Sequence, residues 1–165
     1  MNPEISALII SDGAATVAGL RRHLENLCAT VRTVRSCGDA VFYLWSACPP
    51  HVVFTDTQLP DGTWSDVLAV AKKSPAAVSV VVISQLVDMY LYVETMEKGA
   101  YDFMVSPKEA LELEHVLRSA AANALNGRRS AAEDRKPPEV AGAFEAQRNL
   151  KDGPVEDDAE LLPTL

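Results

Sequence analysis

Short apolar runs that end on polar residues, separated by stretches of helical periodicity, constrain this chain more than any other feature. Residues 78–83 read VSVVVI and end on Ser84-Gln85; residues 5–10 read ISALII and end on Ser11-Asp12-Gly13. Residues 52–54 read VVF and end on Thr55-Asp56, ahead of a turn containing Pro60 and Gly62. β-Branched and aromatic residues fit a pleated strand, and a run apolar at nearly every position suits a central parallel strand covered on both faces. Residues 30–34 (TVRTV) and 102–105 (DFMV) read as two further strands. Between the runs, Val17, Leu20, Leu24 and Leu27 recur at steps of three and four, the spacing of an amphipathic helix. Asp39 is a candidate N-cap for a short helix ending before Pro49-Pro50, Thr63 or Ser65 for one reaching Lys73, and Asp88 for one closed by Gly99. A last helix is expected from Lys108 to about Leu125, with Leu113, Val116, Leu117, Ala120 and Ala124 on one stripe.

Strand followed by helix, five times over, implies a parallel sheet with right-handed crossovers and helices on both faces. The expected fold is α/β, a flavodoxin-like (βα)5 arrangement with strand order 2-1-3-4-5. A chain of 165 residues that is 48% hydrophobic can bury one sizeable core, so residues 1–125 are assigned to one domain. Residues 126–165 carry Pro137, Pro138, Pro154 and Pro163 among mixed charges, and Phe144 is their only aromatic residue. They read as a flexible tail with a candidate helical stretch at 139–150. The ending VEDDAELLPTL mixes acids with leucines and is a candidate docking segment.

Charge narrows the partners. The formal net charge is -8, and neither segment is basic: residues 126–165 hold nine acids against six Lys or Arg, residues 1–125 fourteen against nine. A nucleic-acid-binding surface is not expected from that balance. No apolar run approaches the roughly 20 residues that span a bilayer, and MNPEIS lacks the regions of a signal peptide. Cys28, Cys37 and Cys48 form an odd set without metal-ligand spacing, consistent with thiols in a reducing cytoplasm, and His23, His51 and His115 are scattered. Proteins, or a cation, are the expected partners.

In the expected topology strands 1, 3, 4 and 5 lie side by side, so Ser11-Asp12, Asp56, Ser84 and Ser106 converge at one sheet edge. That carboxyl edge is where open α/β sheets place ligands. Asp12 and Asp56 repel one another there unless a proton or cation lies between them. A hard divalent ion such as Mg²⁺, which takes one or two carboxylates, a carbonyl and several waters, suits them.

IISDG, FTDTQLPDG, VVVISQ and GAYDFMVSP, in that order, resemble the signature blocks of the response-regulator receiver domain of two-component signalling. The resemblance runs from residue 4 to about residue 125. It implies a regulatory phosphoacceptor rather than an independent enzyme. Asp56 stands where the family accepts a phosphoryl group from a histidine kinase or phosphotransfer protein. Asp12 matches the acid that ligates Mg²⁺ directly, and Gln58 the position whose backbone carbonyl joins the metal. Ser84 matches the switch hydroxyl, Phe103 the aromatic switch, and Pro107 a proline usually preceded by a cis peptide. Two positions depart: Ser11 replaces the first acid of the pair, and Ser106 replaces the family's lysine. A lysine 4 Å from a phosphoryl group contributes a gross attraction of roughly 4 kcal/mol per unit charge at an effective dielectric of 20. Lys108, two residues on, is a candidate substitute.

The helix DMYLYVETMEK is expected to bury Met89, Val93 and Met96, with Leu86 before them, and to expose some of Tyr90, Leu91 and Tyr92. In receivers this helix belongs to the common dimer and output face, so an output partner or a second copy is expected on residues 88–98. The alternative to a phosphorylated switch is a pseudo-receiver, a protein-interaction module that works without phosphate. Ser11 and Ser106 motivate it.

Overall fold

The computed structural model describes residues 4–28, 30–106 and 109–136. Five parallel strands form the sheet: β1 (Ser6–Ile10), β2 (Thr30–Val34), β3 (Val52–Asp56), β6 (Ser79–Ser84) and β7 (Asp102–Val105). Their order is β2-β1-β3-β6-β7, which is the expected 2-1-3-4-5 once the five sheet strands are counted alone. The extra pair, β4 (Gln58–Leu59) and β5 (Gly62–Thr63), is an antiparallel miniature hairpin inside the expected turn. Helices α1 (Ala14–Glu25), α2 (Cys37–Leu44), α3 (Trp64–Lys72), α4 (Met89–Glu97) and α5 (Ala110–Asp134) connect and follow the strands.

The continuous apolar runs are explained by the two cores. Successive strand side chains point to opposite faces, and here both faces are covered. Leu8, Ile10, Val53, Val80 and Val82 join Trp64, Val67 and Leu68 in one core. Ala7, Ile9, Phe54, Val81 and Ile83 join Leu20, Leu24 and Leu117 in the other. Thr63 caps α3 in a reciprocal box with Asp66, and the Asp88 carboxylate accepts from the Leu91 N–H at the start of α4. Ser36, not Asp39, caps α2; its hydroxyl accepts from the Asp39 N–H. Gly99 takes the left-handed conformation at φ 97°, as expected after α4.

Two sequence expectations change. The last helix continues from Leu125 to Asp134, through a segment with no apolar stripe to announce it. The chain divides into a unit of residues 1–131 and a second of residues 132–165, and of the second only 132–136 are described. The candidate helix at 139–150 and the candidate docking segment lie outside the described residues, as do Pro107 and Lys108.

The other change is the orientation of α4. Met89, Val93 and Met96 are 66%, 47% and 37% exposed, and Leu86 is exposed as well, whereas Leu91 packs on the core and Thr95 is fully buried. The helix is turned from the expected stripe because Leu91 and Thr95 form an equally good four-residue repeat, and Thr95 satisfies its hydroxyl on the Tyr92 carbonyl at 2.8 Å. Leu91→Ala should therefore cost about 1–2 kcal/mol, and Met89→Ala less than about 0.5, in urea unfolding.

Candidate functional site

The sheet's carboxyl edge opens into a cleft of about 420 Å³ whose wall includes Asp56, Thr57, Gln58, Ser84, Gln85 and Asp88. Its position follows from the sheet: β3 is the central strand, buried from Val52 to Thr55, and Asp56 is the first residue to emerge half-buried from it. Another hollow, of about 220 Å³, lies by the amino ends of β1 and β2 and is lined by residues such as Ser6, Thr30 and Arg32. It offers no carboxylate, and it lies at the edge where such sheets do not place ligands.

At Asp56 the register pairs Ile10 with Thr55, which brings Ser11 alongside the carboxylate. The Ser11 hydroxyl accepts from the Gly13 N–H at 3.1 Å and donates to Asp56 Oδ2. A buried serine thus gives the Asp56 carboxylate a neutral donor at its side. Burial pushes the Asp56 carboxyl above the ordinary carboxylate range; the Ser11 hydrogen bond opposes this and the charge of Asp12 adds to it.

Asp12 is near enough to act on Asp56, but its carboxylate is engaged elsewhere. Arg35, the first residue after β2, donates to Asp12 Oδ1 from Nε at 3.0 Å and lies 2.9 Å from it through Nη2. The pair borders a separate hollow with Val17 and Thr33. Gln58 lines the cleft at the start of the miniature hairpin. That hairpin is anchored by Asp61, which accepts from the Cys37 and Gly38 N–H groups, each at 2.8 Å, at the start of α2. Those bonds hold the Asp61 carboxyl below its ordinary range.

Ser84 is buried and lines the cleft, but its hydroxyl closes on its own turn. It donates to the Leu86 carbonyl at 2.8 Å and accepts from the Leu86 N–H at 3.2 Å. Phe103 is half-buried and meets Tyr92 edge-to-face, with centroids 5.8 Å apart. Ser106 does not join the cleft wall. It adopts a left-handed φ of 38° and borders another hollow with Thr16, Gly19 and His23, while its N–H donates to the Ser84 carbonyl at 2.7 Å.

The cleft wall among the described residues has two carboxylates, Asp56 and Asp88, and no Lys or Arg. No group of three or more His, Cys, Asp or Glu side chains among the described residues is arranged to hold a metal. Two residues of the site escaped the sequence reading. Asp88 shows in the sequence only as a helix cap, and Gln85 reaches across to Thr16, its Nε2 donating to Oγ1 at 3.4 Å. Arg35 carries no motif that marks it, although the strand order 2-1-3 puts the end of β2 beside Asp12.

Residues 7–118 match the family described as the response regulator receiver domain. The luminescence regulatory protein LuxO of Vibrio campbellii is 30% identical over 112 residues, covering 68% of this chain and 24% of that protein. The regulatory protein LuxO of Vibrio cholerae gives the same identity and coverage, so the chain spans 24% of the length of both relatives. Among solved structures, a CheY-like receiver domain protein from Methanospirillum hungatei superposes with a TM-score of 0.65 at 16% identity, over 74% of this chain and 98% of that one. A receiver domain protein from Clostridium thermocellum gives a TM-score of 0.63 at 21% identity, over 72% and 95%. At those identities the likeness is one of fold. The match in sequence covers Asp12, Asp56, Ser84 and Phe103, and by it the chain belongs to the receiver domains of two-component response regulators.

Proposed function

We propose that this domain is a phosphorylatable switch whose acceptor is Asp56. The observation that carries the reading is a carboxylate standing half-buried at the end of the central strand, in an open cleft whose described wall has no cation. Ser11 occupies Oδ2, so Oδ1 is assigned as the nucleophile toward the phosphorus of a phosphohistidine on a kinase or phosphotransfer protein. The O–P bond forms, the P–N bond breaks, and the imidazole leaves.

The same cleft fits a divalent cation in charge. Asp56 and Asp88 are acids of its wall, and the nearby charge of Asp12 raises the cost of ionising Asp56. Asp12, Asp56 and the Gln58 carbonyl are the residues that would hold Mg²⁺, with water completing the set. Its chemistry would be to neutralise charge on the phosphoryl oxygens. With the family lysine absent at Ser106, the hydroxyls of Ser84 and Thr57 and the amides of Gln58 and Gln85 are, among the described residues of the cleft wall, the donors offered to a phosphorylated Asp56. Ser84 would have to leave the Leu86 carbonyl to take part, and Phe103 with Tyr92 would carry the change to α4.

The output surface assigned to the switch is α4. Val87, Met89 and Tyr90 are 78%, 66% and 91% exposed, an apolar patch of the kind that contacts another protein. The LuxO relatives are named as regulators, and a regulatory output is assigned here on the same grounds. Incubation with acetyl phosphate and Mg²⁺ should add one phosphoryl mass, located on Asp56 by peptide mapping. No gain from acetyl phosphate or from any cognate kinase would end this reading. A second reading, a module that binds its partner through α4 without phosphate, is favoured by the commitment of the Ser84 hydroxyl to its own turn. It requires that partner affinity be the same before and after phosphorylation.

A further inference from the structure

Asp12, the acid just after β1 on which the proposed metal site depends, is already paired with a cation of the protein's own. The Arg35 Nε and Nη2 contacts fall on the same carboxylate oxygen, Oδ1, and the two side chains are 76% and 50% exposed. A guanidinium and a divalent ion drawn to one carboxylate repel each other, so full engagement of either weakens the other. Arg35 also opens a short segment that grips both loops of the site. It holds the β1 loop through Asp12, while the N–H groups of Cys37 and Gly38 hold the hairpin loop through Asp61. The cap of α2, Ser36 accepting from the Asp39 N–H at 3.1 Å, makes no use of Arg35. Losing the arginine therefore leaves the hairpin anchor and the helix intact.

We propose, resting on the metal site described above, that Arg35 is a built-in competitor for the divalent cation. It occupies Asp12 in the metal-free protein and is released when Mg²⁺ takes that carboxylate. The domain is thereby set to a lower metal affinity than its two aspartates alone would give, and metal loading is reported at the β2–α2 junction as well as in the cleft.

Calorimetric titration of the full chain with Mg²⁺ tests this. Arg35→Gln should bind about two- to fivefold more tightly than the wild type, the range expected for removing one exposed ion pair, with the gain shrinking as salt rises. A second measurement reads Arg35 directly. Its Nε–H resonance in ¹⁵N spectra should shift when Mg²⁺ is added and shift likewise in metal-free Asp12→Asn. Equal or weaker binding by Arg35→Gln, with measurable binding by the wild type, overturns the competitor role and leaves the metal site standing. Absence of Mg²⁺ binding in both proteins overturns the two together.

Discussion

Arg128→Ala is expected to cost about 3 kcal/mol of folding stability, and Arg129→Ala, one residue further, less than about 0.5. The contrast comes from what the two arginines touch. Arg128 Nη2 donates to the carbonyls of Pro49 at 3.0 Å and Pro50 at 2.8 Å, and Nε donates to the carbonyl of Ala77 at 2.9 Å. Both prolines are buried, and they lead into β3. Residues 75–78 lead into β6. One guanidinium thus ties the entries of the two strands that carry Asp56 and Ser84. Removing it leaves the carbonyls of the buried Pro49 and Pro50 without this donor, which costs more than the hydrogen bonds are worth in themselves. Burial draws the Arg128 pKa below its ordinary value. Arg129 is exposed. Gly127 adds a steric reason for the fit, since a Cβ there would come within 2.8 Å of Ala77 Cβ. A chain cut after Leu125 loses both residues and should be less stable than Arg128→Ala in the same urea titration.

That prediction falls on a segment where the sequence is hard to read, and the reason is physical. Strands buried on both faces are apolar at almost every position, so VSVVVI and ISALII are unmistakable, and with the helical periodicity between them they fix the sheet order. The end of α5 does not bury an apolar stripe. It docks through a glycine and a guanidinium, which leave the polar, alanine-rich sequence of a solvated helix. The turning of α4 is a different failure. Taken together, Met89, Val93 and Met96 outrank Leu91 and Thr95 in hydrophobicity, yet the less apolar repeat faces the core and the more apolar one is left exposed. At the site, topology was legible and hydrogen bonding was not. The strand order alone brings Asp12, Asp56 and Ser84 to one edge. Where each group points was decided by neighbours outside the motifs: Arg35 for Asp12, the Leu86 backbone for Ser84, and a left-handed φ for Ser106.

Asp56→Asn should abolish labelling by acetyl phosphate completely and also make the metal-free protein more stable at neutral pH. The first effect is chemical, because an amide oxygen does not form the acyl phosphate under these conditions. The second follows from the raised pKa of the carboxyl, caused first by burial and augmented by Asp12. The folded protein holds this proton more tightly than the unfolded chain does. The stability it contributes is therefore fully present below the unfolded value near 4 and is lost as pH rises through the higher folded value. At pH 7 wild-type Asp56 is a half-buried charge beside another charge. Asparagine keeps an acceptor for the Ser11 hydroxyl without that charge. The gain is on the order of 1 kcal/mol after allowance for the group's half exposure. Thermal unfolding in EDTA should show the variant melting above the wild type at pH 7, with the two curves converging toward pH 4. Added Mg²⁺ should then raise the wild type more than the variant, by mass action on the folded state alone. A variant that melts at or below the wild type at pH 7 in EDTA would mean that Asp56 is not held under strain by its surroundings. The same result would remove the electrostatic reason for a cation to bind there.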